Sequence, residues 1–218
     1  MKERPILFKG AMVRTILEGR KTVTRRALKL PHGYWESSPS GELIPVPVNC
    51  PYGQPGDRLW VRESWTTRQG LDGVAPRNIS HDQSVGYLAD TEEGPWLGKV
   101  RPSIHMPRWA SRILLEVTDV RIERLQDISE EQAEAEGCYT NDQYGDLAGS
   151  CDDLWPCPAC SGNQVHQAGS MGGATEVDCN ECRTAALRFR HLWVSINGID
   201  SWDANPWVWV VEFKRIEP

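Results

Sequence analysis

Ser111-Arg112-Ile113-Leu114-Leu115-Glu116-Val117-Thr118-Asp119-Val120-Arg121-Ile122-Glu123-Arg124 is the stretch of this chain that reads most plainly as a β-strand. Branched aliphatic residues recur through it, and Asp119 marks an expected bulge or bend. A second strand is expected from Trp207 to Ile216, where Trp207 and Trp209 alternate with Val208 and Val210. A third follows the turn at Gly56-Asp57, with Leu59 and Val61 on one side and Trp60 and Arg62 on the other. Shorter strands are expected at Ile6-Leu7-Phe8 and from Val85 to Ala89. Helical spacing appears in three places. Met12, Val13, Ile16 and Leu17 recur at helical intervals over 10–18, with Gly19 as a stop. Ser129-Glu130-Glu131-Gln132 has the form of a capping box opening a helix to Glu136, stopped by Gly137. Ala186, Phe189, Leu192, Trp193 and Ile196 define a helix within 183–196. Residues 31–56, rich in Pro and Gly, and the loop 66–83 are expected to be irregular. Strands dominate and do not alternate regularly with helices, which predicts a mixed, barrel-like α+β domain.

That domain is interrupted. Cys157-Pro-Ala-Cys160 and Cys179-Asn-Glu-Cys182 form two pairs of the spacing that lets thiolates converge on one metal ion. The segment between them is polar and Gly-rich, too poor in apolar residues to build its own core, so a metal supplies the missing folding energy. The expectation is one structural zinc ion on Cys157, Cys160, Cys179 and Cys182, with Cys151 and His166 as substitutes that the spacing disfavours. Cys50 and Cys138 read as inert thiols. The domain division is then 1–147 with 187–218 as the main domain and 148–186 as the zinc-binding insertion.

The net charge is −6 over 218 residues, but residues 1–30 carry nine Lys or Arg and two Glu, a local balance of +7. An acidic body with one basic segment suits a focused anion site better than a sliding surface for nucleic acid. Residues 150–182 hold no Lys or Arg and five acidic side chains, Asp152, Asp153, Glu176, Asp178 and Glu181. That weakens phosphate contact there and makes a protein partner for the insertion a competing expectation. No stretch approaches the roughly 18 apolar residues of a membrane helix, and the first residues lack a signal-peptide apolar region, so a cytoplasmic protein without a membrane partner is expected. Nothing in the sequence sets the oligomeric state.

With these elements in order, the chain resembles the ASCH domain family of the PUA-like superfamily, and within it the proteins carried by bacteriophages and prophages of enteric bacteria. The resemblance rests on the helix followed by Gly19-Arg20-Lys21-Thr22-Val23-Thr24-Arg25, the strand Gly56-Asp57-Arg58-Leu59-Trp60-Val61, the Ile128-Ser129-Glu130-Glu131 helix and the closing strand from Trp207 to Lys214. It implies a mixed β pseudo-barrel with a cleft facing RNA or a nucleoside. One branch of that family hydrolyses the acetyl amide of N4-acetylcytidine with a Lys, a Thr and a Glu. By motif position these fall on Lys21, Thr24 and Glu136, with Glu134 as the competing match.

Read as chemistry, Lys21 is flanked by Arg20, Arg25 and Arg26. Like-charge repulsion favours a neutral amine, able to act as a base toward Thr24 or water, with Glu136 orienting it or shuttling a proton. The alternative is a charged Lys21 that pairs, with Arg20, Arg25 and Arg26, to phosphate. Arg62 and Glu63 end a strand, and Ser103-Ile104-His105-Met106-Pro107-Arg108-Trp109 concentrates groups that can stack and hydrogen-bond a base through Trp109, His105 and Arg108. The competing reading pins that loop against the core. The leading expectation is binding of RNA or a modified nucleoside through the basic loop 20–26. The alternatives are an amidohydrolase of acylated cytidine, a ribonuclease, and a non-enzymatic phage-encoded interaction factor.

Overall fold

The computed structural model describes residues 1–29, 35–41, 43–46, 50–90, 97–138, 157, 159–160, 165–170 and 173–217. Among them the fold is mixed α+β and mostly strand. In chain order the elements are β1 (Glu3–Leu7), α1 (Gly10–Leu17), β2 (Val23–Ala27), β3 (Trp35–Ser37), β4 (Leu43–Pro45), β5 (Arg58–Arg62), β6 (Trp65–Thr66), β7 (Gly86–Tyr87), β8 (Leu114–Arg124), α2 (Glu130–Ala135), β9 (Val165–Ser170), β10 (Gly173–Asp178), α3 (Ala185–Asn197) and β11 (Trp207–Ile216). Short 3-10 turns separate several of them. A five-stranded sheet has the order β1-β5-β8-β11-β2. It is mixed: β1 runs parallel to β5, pairing Ile6 with Val61, and β5 runs antiparallel to β8, pairing Leu59 with Leu115.

The strand-rich reading holds in its outline, and the differences have local causes. β8 runs from Leu114 to Arg124 and includes Asp119. In β5 both faces are covered, since Trp60 is buried along with Leu59 and Val61. Apolar burial of Val208, Trp209, Val210 and Val211 in succession marks β11 as covered on both faces too. Residues 31–56 are not wholly irregular: β3 and β4 form an antiparallel hairpin, pairing Glu36 with Ile44. Three-residue strands are too short to leave a periodic signal. Residues 31–34, 42 and 47–49 of that stretch lie outside the described residues. The strand expected from Val85 to Ala89 shrinks to β7, paired with β6.

The chain divides into two compact units. The first comprises Met1–Gly19, Asn49–Val120 and Val211–Pro218. Its α1 buries Ala11, Met12, Val13, Thr15 and Ile16. The helix ends where Gly19 adopts φ +76°, a conformation that costs glycine little, and its N–H donates to the Ile16 carbonyl at 3.1 Å. A second cluster of this unit gathers Trp65, Ile79, Met106 and Ala110, with Leu71, Val74, Val85, Tyr87 and Trp109 against them.

The second unit comprises Arg20–Val48 and Arg121–Val210. In it α2 opens with the expected capping box: Ser129 Oγ accepts from the Gln132 N–H at 3.3 Å, and Gln132 Oε1 accepts from the Ser129 N–H at 3.2 Å. Gly137, at φ +94°, ends it, leaving Glu136 as the C-cap. α3 opens on Thr184, whose Oγ1 accepts from the Leu187 N–H at 3.2 Å. Phe189 of α3 packs against Trp193 and Trp202 at ring distances of 6.2 and 6.3 Å. β9 and β10 form an antiparallel hairpin between the two cysteine pairs. The described part of the expected insertion, 148–186, lies in this unit. Residues 148–156, 158, 161–164 and 171–172, including the substitute ligand Cys151, lie outside the described residues.

Candidate functional site

Two groups of side chains in the second unit carry chemistry. The first is built by a loop, a strand and a helix end. Lys21 precedes β2, and Glu136 caps α2. The Thr22 N–H donates to the Ala135 carbonyl at 2.9 Å, tying the loop to the end of that helix. Lys21 Nζ then reaches Glu136 Oε2 at 2.6 Å, the Glu136 carbonyl at 2.8 Å and the Val23 carbonyl at 2.8 Å. Three donors of one ammonium thus meet three acceptors. The side chains are 0% and 3% exposed. The expectation that arginine repulsion dominates around Lys21 is corrected by this geometry, because the nearest charged atom is a carboxylate oxygen.

Arg25 completes the group. Its guanidinium donates to Gln132 Oε1 at 2.6 Å, to Glu123 Oε2 at 3.2 Å and to Glu136 Oε1 at 3.5 Å, and lies 5.8 Å from the centre of the Phe189 ring. Its side chain is 0% exposed, so its fork is committed to protein carboxylates and an amide. Arg20 and Arg26 are half-buried. Thr24 is buried on β2, one residue after the Val23 carbonyl that holds Lys21, and strand alternation sets it on the face opposite Arg25.

The second group is the cysteines. Cys157, Cys160, Cys179 and Cys182 are all buried, and their four Sγ atoms lie within 4.8 Å of one another. Cys157 Sγ is 3.8 Å from Cys179 Sγ, and Cys160 Sγ is 3.5 Å from Cys182 Sγ. A tetrahedron with metal–sulfur bonds near 2.3 Å has edges of about 3.8 Å, so the donor set fits a single ion. Burial, with the neighbouring thiols, pushes the Cys182 thiol well above its ordinary range. Four thiols packed together gain from a cation that replaces their protons.

The remaining residues expected at a site belong to the first unit. Arg62 lays its guanidinium over the Trp60 ring at 4.6 Å. Glu63 is buried and receives Arg112 in fork fashion, Nε to Oε1 at 3.0 Å and Nη2 to Oε2 at 3.1 Å. His105 lies exposed in a 3-10 turn, and Arg108 donates to Glu3 Oε2 at 3.0 Å. Trp109 meets Trp65 edge-on at 6.2 Å and stacks on His81 at 5.3 Å. The pinned reading of this loop therefore describes Trp109, which packs against its own unit. Sequence reasoning missed Gln132 and Glu123 as partners of Arg25, and Arg112 as the partner of Glu63. Gln132 was visible only as half of a capping box, and the other two sit within a strand pattern that carries no signal of its own.

Among the described residues no helix is long and apolar enough to cross a membrane. Comparison with protein-family models, with curated proteins and with solved structures returns no match.

Proposed function

We propose that the chain is a PUA-like protein of the ASCH type that takes a modified nucleoside at Lys21 and Glu136 and hydrolyses an acylated exocyclic amine of the N4-acetylcytidine kind. The observation that carries this reading is the buried 2.6 Å contact between Lys21 Nζ and Glu136 Oε2. Amide hydrolysis needs a base for the attacking hydroxyl and a cation for the oxyanion. In this reading the pair supplies both: the Glu136 carboxylate takes the proton from water, and the Lys21 ammonium faces the acyl oxygen in exchange for one of its three present acceptors. The C–N bond then breaks, the proton passes from Glu136 to the departing amine, and the acyl group leaves as a carboxylic acid. In the same reading the four cysteines hold one structural zinc ion, since four thiolates leave no open position for substrate.

Binding of RNA without turnover is the second reading. It is supported by the +7 balance of residues 1–30 and by half-buried Arg20 and Arg26, which flank Lys21 and Arg25 in sequence. Arg25 contributes less to it than the sequence suggests, because its guanidinium is already engaged. The deciding experiment incubates metal-replete protein with N4-acetylcytidine and follows ultraviolet absorbance and release of acetate. Turnover that disappears in Lys21→Ala and Glu136→Gln, and persists in the surface variant Lys214→Ala, supports hydrolysis. Absence of turnover together with salt-sensitive RNA binding moves the assignment to the second reading. Absence of both makes the buried pair a structural clamp.

A further inference from the structure

The two groups of the second unit are joined by contacts that neither requires for itself. The turn that carries the second cysteine pair is held by α3: Arg188 Nε donates to the Cys182 carbonyl at 3.0 Å, and His191 Nε2 lies 2.9 Å from the Glu181 carbonyl. Arg188 is buried. The first turn of α3 is in turn held by α2. Glu130 spreads its carboxylate over the start of α3, Oε1 accepting from the Ala185 N–H and Oε2 from the Ala186 N–H at 3.1 Å. Both amides are among those a helix start leaves without internal partners, and the carboxylate also meets the positive end of the helix dipole. Glu130 is the first residue of α2, and Glu136 caps the same short helix. Arg25 closes the circuit, since its guanidinium touches Gln132 and Glu136 and lies over Phe189 of α3.

We propose that metal occupancy at the four cysteines sets the position of α2, and with it the Lys21–Glu136 geometry, and that Glu130 is the positioning residue that transmits it. The physical sequence is short. Metal fixes the turn Cys179–Cys182, because polar segments of this kind are ordered by their metal. The fixed turn anchors α3 through the Cys182 carbonyl. The anchored start of α3 presents two N–H groups to Glu130. Six residues of α2 carry that constraint to Glu136, whose carboxylate and carbonyl both hold Lys21. Outer partners of a metal site commonly orient its ligands; here the same kind of contact runs outward, from the metal turn to a second site. The inference depends on the preceding section only in treating the Lys21–Glu136 pair as a functional site.

Amide hydrogen exchange on the full chain tests it. The reporters are the N–H groups of Ala133, Glu136 and Thr22, which donate to the carbonyls of Ser129, Gln132 and Ala135 at 3.0, 3.0 and 2.9 Å. The reference is the Val61 N–H in the first unit, bonded to the Ile113 carbonyl at 3.0 Å. Removing metal with a chelator under reducing conditions is expected to lower protection at the three reporters by about tenfold, the value of one weak charge-assisted hydrogen bond, and to leave Val61 within twofold. Metal-replete Glu130→Ala is expected to lower the same reporters by a similar factor with metal content unchanged, and Glu130→Gln by less. Reporters that stay within twofold after either treatment overturn the proposal, as does a fall at Val61 equal to theirs. Failure of N4-acetylcytidine turnover in wild-type protein would reject the catalytic reading and leave this exchange result standing by itself.

Discussion

Glu136 accepts from Lys21 twice, through its carboxylate at 2.6 Å and through its own backbone carbonyl at 2.8 Å. The amine is therefore located by the helix end as much as by the charge. Truncating it leaves a buried carboxylate with Arg25 at 3.5 Å, and takes the Lys21 donor from two carbonyls. Breaking a buried pair from one side costs about 3–5 kcal/mol, because an uncompensated charge stays in a medium that solvates it poorly. Lys21→Met is expected to lose stability of that order in urea denaturation. Lys21→Met combined with Glu136→Leu is expected to recover part of the loss, since both charges are then gone. A single variant within about 1 kcal/mol of wild type would mean that water reaches the pair and screens it.

Residues 23–26 of the expected basic loop belong to β2, and Arg25 should separate from Arg20 and Arg26 by salt dependence. The Arg25 guanidinium spans Gln132, Glu123 and Glu136, a spread of acceptors that one ammonium cannot match. Arg25→Lys is expected to lower stability by about 2 kcal/mol. It should leave the slope of RNA affinity against log salt unchanged. Arg20→Ala and Arg26→Ala are each expected to reduce that slope by about one, provided the chain binds RNA at all. A reduced slope in Arg25→Lys with stability unchanged would show that its fork is open to phosphate.

How much of this was legible in the sequence follows the range of the interactions. Ser129-Glu130-Glu131-Gln132 and Gly137 announce α2 because a capping box and a glycine stop are contacts within one turn. The cysteine pairs announce their cluster because a two-residue spacing fixes ligand direction locally. β8 was readable from the branched aliphatic residues that recur through it, and β11 from the alternation of Trp207 and Trp209 with Val208 and Val210. The Lys21 environment was not readable. Three arginines lie near it in sequence, but the partner that decides its chemistry is 115 residues away. The same holds for Glu63, whose partner Arg112 is 49 residues distant, and for Glu130, whose role depends on the start of a helix 55 residues on. The β3–β4 hairpin escaped because three-residue strands carry no period to detect.

The cysteine cluster predicts its own stoichiometry. Four buried thiols with edges of 3.5 and 3.8 Å suit one tetrahedral ion. Elemental analysis of protein purified without chelator is expected to give about one zinc per chain. Any one of Cys157→Ser, Cys160→Ser, Cys179→Ser and Cys182→Ser should weaken retention during dialysis and lower the melting temperature. Cys50→Ser should do neither, since that residue lies outside the cluster. Less than about half an equivalent in a folded wild-type chain would remove the metal from the structure's account.

Glu63 offers a test in which burial and charge pull in opposite directions. It is 1% exposed and held by Arg112, which also forks onto Asp90 at 2.7 and 2.9 Å and lies 4.0 Å from the Tyr87 ring centre. Burial raises the Glu63 carboxyl above its ordinary value of 4.5, and the Arg112 guanidinium only partly offsets this. Arg112 itself is held above its own usual range by the two carboxylates, so the pair is favourable for the cation and costly for Glu63. Between 4.5 and the raised folded value, the native state keeps a proton that the unfolded state has released. Stability attributable to Glu63 must then fall as pH rises through that window. Glu63→Gln imitates the protonated carboxyl and does not titrate. Wild type minus Glu63→Gln, measured by urea denaturation between about pH 4 and pH 8, should therefore decline with rising pH and level off above the folded value. A difference that grows in favour of wild type over the same range would mean that the Arg112 fork outweighs burial, and that Glu63 is anchored by its charge in spite of where it sits.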